Sequence, residues 1–403
     1  MKRRDFLRKL AFTTTSSLLI PQFLKAYERE HLGQLPKNNK ILVVIQLSGG
    51  NDGLNTVIPF KNDIYYRERP TIGIAADKVL KLNDEIGFNP ALGKLKELYD
   101  SGLVSVINNV GYPNPDRSHF RSMDIWQTGS GSDQYLTTGW LGRYLDTQCI
   151  GKSCLPHQVL EIDDTLSLAL KGLNVNGLAL QNPEKLYKQT QPTFVRNLAQ
   201  TTPADTHENT TYLYKTLAET VSSADYIYSK SRVYQSKMTY PDSELGKSLK
   251  TIAELIGSGI STSVYYVSIS GFDTHIQQLG QQEKLLRQYA EAVYPFIYDL
   301  KANNRLDDVM VMTFSEFGRR VKQNASNGTD HGTANNVFLI GGPTRTKPIF
   351  NEAPNLTDLD NGDLKYQIDF RNIYASLLDN WLKADSELVL GNKFDSLKWN
   401  SIF

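Results

Sequence analysis

The chain has 403 residues, 40% hydrophobic and 22% charged, the composition of a globular protein and of neither a disordered tail nor a fibre. Its 44 Lys and Arg against 43 Asp and Glu leave a net charge of +1, without the basic excess of a nucleic-acid binder. The balance is uneven: residues 1–26 carry Lys2, Arg3, Arg4, Arg8, Lys9 and Lys25 against Asp5 alone, a local +5 that leaves the rest of the chain at −4.

In chain order, the basic segment Met1–Leu10 is followed by a short apolar stretch diluted with Ser and Thr, ending near Ala26. This is the order of an export signal, and Arg3-Arg4 followed by Phe6-Leu7 resembles the twin-arginine type; an amphipathic surface helix is the other reading. The stretch falls far short of the roughly 20 apolar residues that span a bilayer. A periplasmic or otherwise extracytoplasmic protein is therefore expected, delivered by the twin-arginine export machinery and keeping no spanning helix. Leu24-Lys25-Ala26 specifies cleavage only weakly.

Lys40–Leu47 is a continuous apolar run, read as a buried parallel strand. It ends in Gly49-Gly50-Asn51-Asp52-Gly53, where glycines permit a sharp turn that presents the Asp52 carboxylate; an ordinary Asn-Asp-Gly turn is the alternative. A helix over Leu92–Tyr99 and a strand at Val104–Ile107 follow. Pro115-Asp116-Arg117-Ser118-His119 then marks a helix start, placing Ser118 or Ser122 near N–H groups that favour anions, unless Ser118 simply caps. His119 can serve there as ligand, base or hydrogen bonder.

Cys149 and Cys154, the only cysteines, bracket a Gly-containing loop suited to a local disulfide or two free thiols; a structural zinc site needs four ligands. The segment from about Pro183 to Tyr240 is polar and helical in pattern, without a buried strand. It reads as an inserted helical subdomain that lids a site, binds a partner or is merely structural. After a helix at Leu245–Ile256, the strand Val264–Ile269 leads into Gly271-Phe-Asp273-Thr-His275, and in extended chain residues two apart can converge on one cation. A helix over Glu283–Asn303 precedes the strand Val309–Phe314, which leads into Ser315-Glu316-Phe-Gly-Arg319-Arg320. The two arginines read as a solvated basic turn or as an anion clamp. Asp330-His331, bracketed by small residues, comes before the strand Val337–Ile340, and Tyr366–Leu382 closes the order with an amphipathic helix.

Strands and helices alternate, so an α/β fold is expected: a central, mostly parallel sheet flanked by helices, one domain over 27–403 carrying the insertion at about 183–240. The polar clusters follow strands, where such sheets place ligands. Three of the six His lie in these clusters, and with Asp52, Asp273, Glu316 and Asp330 they make a mixed imidazole and carboxylate set. That set suits one or two divalent ions, zinc or manganese before magnesium or calcium.

Taken together, Leu47–Asn55, Arg117-Ser-His-Phe120, Gly271–His275, Ser315–Arg319 and Gly328-Thr-Asp-His-Gly332 resemble a large bacterial family of exported proteins of unknown function in the alkaline phosphatase-like clan. The resemblance implies a metal site at the strand ends and hydrolysis or transfer of phosphate or sulfate esters, on a small anionic or glycan-linked substrate. Asp52 resembles the clan's first-strand metal Asp, Asp273 and His275 its later ligand pair, and His331 its final His. Glu316-Phe stands where the clan has Asp-His. The Asp-x-His spacing is shorter than in phosphatases and no nucleophile is marked; Ser118 is the first choice and Ser122 the reserve, with Arg117 or Arg319 to hold the non-bridging oxygens. Neither serine lies in a sulfatase-type Cys/Ser-x-Pro-x-Arg sequence, which favours phosphatase-like chemistry. A binding or envelope-assembly protein on the same fold is the alternative of another class.

Overall fold

The computed structural model describes residues 39–150, 154–201, 208–342 and 348–397. The export signal expected at 1–26 lies outside them. No helix among the described residues is long and apolar enough to cross a membrane.

The apolar runs become the middle of an eight-stranded sheet. In chain order its strands are β1 (Ile41–Ser48), β2 (Val104–Gly111), β3 (Val159–Glu161), β4 (Leu178–Ala179), β5 (Val264–Ser270), β6 (Val309–Phe314), β7 (Asn335–Ile340) and β8 (Ile368–Asp369), and they lie in the order β8-β2-β7-β6-β1-β5-β3-β4. β1 sits centrally, parallel to β5 and β6, and alternation along it feeds two cores. Ile41, Val43, Ile45 and Leu47 point into one, Leu42 and Val44 into the other. This is why the run reads as apolar on both faces.

One strand of the mostly parallel sheet runs against the others. The Val337–Ile340 run forms β7, which is antiparallel to both neighbours. The chain leaves β6 at the carboxyl edge and makes a hairpin from Arg319–Gln323 and Thr329–His331. It then re-enters the sheet from that same edge, so the next strand must run backwards. The result is that β7 begins, rather than ends, beside the polar clusters.

Helices α1 (Gly93–Asp100), α2 (His119–Thr128), α3 (Trp140–Gln148), α4 (Glu244–Gly257), α5 (Gln278–Ala302) and α6 (Phe370–Ser376) flank the sheet. The closing helix starts later than its amphipathic pattern implies: Ile368–Asp369 forms β8, and Asp369 Oδ1 accepts the Arg371 N–H at 2.9 Å to cap α6. Within the expected insertion, helices occupy Pro183–Thr190, Thr193–Gln200 and Glu208–Ser231. Buried Val221, Ala224 and Ile227 hold the longest of them to the body. Cys149 and Cys154 form a disulfide.

Candidate metal centre

Every polar cluster singled out in the sequence reaches the carboxyl edge of the sheet, where loops after β1, β2, β5 and β6 and the hairpin before β7 meet. Close approach of these loops depends on two glycines. Gly49 holds φ at +118°, and a Cβ there would sit 2.5 Å from the Asp273 nitrogen. At Gly328 a Cβ would meet the His275 carbonyl at 2.2 Å.

Arg319 stitches these loops together. Its side chain is fully buried, donating to the carbonyls of Gly50 at 2.6 Å, Gly49 at 2.5 Å, Phe272 at 3.1 Å and Thr329 at 3.0 Å, and to Asp273 Oδ1 at 2.7 Å. With its donors spent this way it cannot also clamp substrate oxygens, so the anion role expected of it is replaced by a structural one. Burial alone would raise the Asp273 pKa; Arg319, aided by His331 and His275, brings it down to about 2.

Three imidazoles surround that carboxylate. Asp273 Oδ1 lies 3.0 Å from His275 Nε2, 3.3 Å from His331 Nε2 and 3.4 Å from His119 Nε2, and the two nitrogens of His275 and His331 are 2.8 Å apart. The opposite nitrogen of each ring faces an oxygen: His119 Nδ1 to Glu316 Oε1 at 2.9 Å, His275 Nδ1 to Asp330 Oδ1 at 3.4 Å, His331 Nδ1 to the Arg117 carbonyl at 2.7 Å. Each far nitrogen thus has an oxygen partner, and the three Nε2 atoms gather about the Asp273 carboxylate, to which a ring protonated on Nε2 donates. The Arg319 guanidinium, 3.5 Å from His275 Nε2 and 2.7 Å from Asp273 Oδ1, already brings one positive charge to this place. The buried His119 Nε2 has no hydrogen-bond partner among the described residues.

A divalent cation fits the donors of His119, Asp273 and His331, while His275 Nε2 also lies 3.5 Å from the Arg319 guanidinium. Ligands about 2.0–2.1 Å from a tetrahedral zinc lie roughly 3.3 Å from one another, close to the spacings here. His119, Asp273 and His331 each offer an atom within 4.8 Å of the others'. Anchoring each imidazole through its far nitrogen is the usual support for a metal-binding His. Glu316, fully buried, also accepts the Gly49 N–H at 2.8 Å, and so ties the first loop to His119. Its hydrogen bond raises the His119 pKa against the effect of burial, whereas burial lowers that of His331.

Asp52 stands apart from the set. Its carboxylate takes a bidentate pair from Arg69 at 2.6 and 3.0 Å, the Gln278 amide at 2.5 Å and the N–H groups of Leu54 and Asn55, all in buried surroundings. A guanidinium thus already neutralises the residue expected to hold an ion. Glu316 and Asp330 are brought to the site as partners of the imidazoles and not as donors toward their shared centre. Ser122 is buried with its hydroxyl bonded to the Asp116 carbonyl at 2.7 Å and to Tyr112 at 2.8 Å, which removes the reserve nucleophile. Ser118 is exposed at the N-cap of α2 and its hydroxyl makes no capping bond. Arg117, whose guanidinium pairs with Asp363, is partly exposed.

Two contributors escaped sequence reasoning. Arg69 lies in a loop, 17 residues from Asp52, with no motif around it. Phe317 packs against His119 and His331 with ring centroids 4.8 Å away in each case; it sits inside the Ser315–Arg319 motif, which was the available signal.

Among solved structures, the chain is similar to the C-terminal periplasmic domain of EcEptC from Escherichia coli in complex with Zn, at 12% identity and a TM-score of 0.37 over 77% of this chain and 75% of that one. It is similar to the PsFucS1 sulfatase from Pseudoalteromonas sp. at 11% identity and 0.41, over 94% and 73%. The lipoteichoic acid synthase LtaP from Listeria monocytogenes is similar at 10% and 0.36, over 81% and 73%. No curated protein matches the chain. Residues 39–377 match the model of a family described as a protein of unknown function (DUF1501), and the chain belongs to that family.

Proposed function

We propose that the chain is an extracytoplasmic hydrolase of phosphate esters, with sulfate esters as second choice, working with one divalent cation held by His119, Asp273, His275 and His331. The observation that supports this reading is the convergence of three anchored Nε2 atoms on the Asp273 carboxylate. Three nitrogens and one oxygen suit zinc best and manganese next, while calcium prefers oxygen alone. One ion rather than two is supported because Arg69 already balances Asp52, leaving no second cluster of free donors there.

The cation would polarise an ester oxygen and offset charge that develops on it. The chain's own residues do the rest. Asp273 and the three imidazoles would fix where the ester's anionic end rests, and Arg117, next to Ser118 and paired through Nη2 with Asp363, would turn its remaining donors to the ester's outer oxygens. Ser118 Oγ would bond to phosphorus as the bond to the alcohol oxygen breaks, its proton leaving with the alcohol. Water then breaks the serine ester and releases phosphate. Ser118 keeps its place because its hydroxyl makes no capping bond, whereas that of Ser122 is taken. Export by the twin-arginine route belongs to the same reading, since that route carries folded cargo with its metal in place.

The test is turnover of phosphate mono- and diesters and sulfate esters by the zinc-loaded and manganese-loaded protein, alongside Ser118→Ala. Turnover that needs metal and falls in the variant is expected. A protein that binds zinc yet is inert on all three ester classes would instead support a binding role on the same fold.

A further inference from the structure

Hydrogen bonds fix one atom of an imidazole but not the tilt of its ring. His119 is held at Nδ1 by Glu316 at 2.9 Å, and His331 at Nδ1 by the Arg117 carbonyl at 2.7 Å. The last torsion of a histidine side chain has a broad minimum, so a ring tethered at one nitrogen can still swing its Nε2 through an arc. A donor that swings must be ordered when a cation binds, and that ordering weakens binding.

The missing restraint is one on the ring faces, and Phe317 supplies it. The centroids of Phe317, His119 and His331 form a closed triangle, each imidazole 4.8 Å from Phe317 and 4.4 Å from the other. Phe317 is tilted 38° to His119 and 36° to His331, while the two imidazoles meet nearly edge to face at 74°. Tilted and edge-on contacts at such spacings are favourable between rings.

Phe317 itself has little room to retreat. It is 2% exposed, and a Cβ on Gly50 would lie 2.2 Å from its Cε2, so the Gly50 backbone sits directly against the ring. The Gly50 carbonyl accepts Arg319 Nε at 2.6 Å, which pins that backing in turn. Phe317 also borders a cavity of about 380 Å³ shared with Tyr112, Thr333 and Tyr366. Space left by a smaller side chain at 317 would join that cavity and leave the imidazole faces uncovered.

We propose that Phe317 is a positioning residue that sets the tilt of His119 and His331, aiming their Nε2 atoms at the Asp273 carboxylate before any cation arrives. Its consequence for the cation rests on the reading above; its hold on the two rings does not.

The experiment compares wild type, Phe317→Leu and Phe317→Tyr, each first shown by thermal melting to be folded. Zinc affinity of the full chain is measured by competition with a chromophoric chelator, and the ring positions by crystal structures of the metal-free proteins. Phe317→Leu keeps an apolar filling but removes the flat face. It should bind zinc about two- to tenfold more weakly, the loss expected for aromatic contacts, with His119 and His331 turned from their wild-type positions. Phe317→Tyr keeps the ring and should restore both readouts. Wild-type zinc affinity in Phe317→Leu, or an equal loss in Phe317→Tyr, would overturn the proposal. If wild type takes up no zinc, the metal-free structures decide: displaced rings refute the metal reading and leave the positioning role standing, and unmoved rings overturn both. Neither readout involves ester turnover, so an inert protein that passes both refutes the hydrolase reading alone.

Discussion

Glu316→Gln isolates the anchoring of one imidazole from the donors themselves. Glu316 is fully buried, and its Oε1 receives both the His119 Nδ1–H at 2.9 Å and the Gly49 N–H at 2.8 Å. A glutamine carbonyl oxygen can accept the same two bonds, and its amide nitrogen would face the Ser315 hydroxyl that now lies 3.3 Å from Oε2. What disappears is the negative charge that raises the His119 pKa and makes its Nε2 a better donor to a cation. Partners of this kind are worth about 10–100-fold in metal affinity, or roughly 1.4–2.7 kcal/mol. The metal-free protein should change stability by only about 1 kcal/mol, because both hydrogen bonds survive. Competition for zinc against a chromophoric chelator at neutral pH, with thermal melting of the metal-free form, reads the two effects separately. Unchanged zinc affinity in Glu316→Gln, when Asp273→Asn lowers it, would refute the reasoning that His119 is an oriented donor.

Asp52→Asn should destabilise the protein by about 3–5 kcal/mol, because it leaves the buried Arg69 guanidinium without its counter-charge. The same variant should still take up one zinc, whereas a drop in metal content would place Asp52 in the donor set. Burial raises the Glu161 pKa from its usual 4.5 to about 7. Such a carboxyl keeps its proton when folded after the unfolded chain has lost it, so stability falls as pH rises from about 4.5 to 7 and then levels. Glu161→Gln should abolish that fall, worth up to about 3 kcal/mol, and urea titrations across this range check it. Burial also drives the His157 pKa down to about 4, so His157 contributes stability that is lost as pH falls from about 6.5 through 4. His157→Gln should flatten that acid limb in the same titrations. Replacing Cys149 and Cys154 by Ser should cost about 2 kcal/mol, small because the closed loop is short.

The central strands were legible because burial on both faces removes alternation and leaves unbroken apolar runs at Ile41–Leu47 and Val309–Phe314. Val159–Glu161, Leu178–Ala179 and Ile368–Asp369 were not, since strands of two or three residues carry no period to read. The direction of β7 was hidden for another reason. A strand's polarity depends on which edge the chain re-enters from, and that was decided by the hairpin between Arg319 and His331. Asp273, His275 and His331 could be singled out because each stands beside a strand end among small residues. The different fate of Asp52 could not, because the arginine that saturates it comes from a loop with no pattern of its own. Arg319 illustrates the same limit: its charge is visible in the sequence, but the four carbonyls that consume its donors come from three separate loops.

The central claim is that three imidazoles and one carboxylate hold a single cation. Its most direct test is zinc content after loading and dialysis, measured together with X-ray absorption at the zinc edge. One zinc per chain with a nitrogen-rich shell of four ligands is expected, along with loss of retained zinc in His119→Ala and His331→Ala. No zinc retained by wild type, or full retention in both variants, would contradict it.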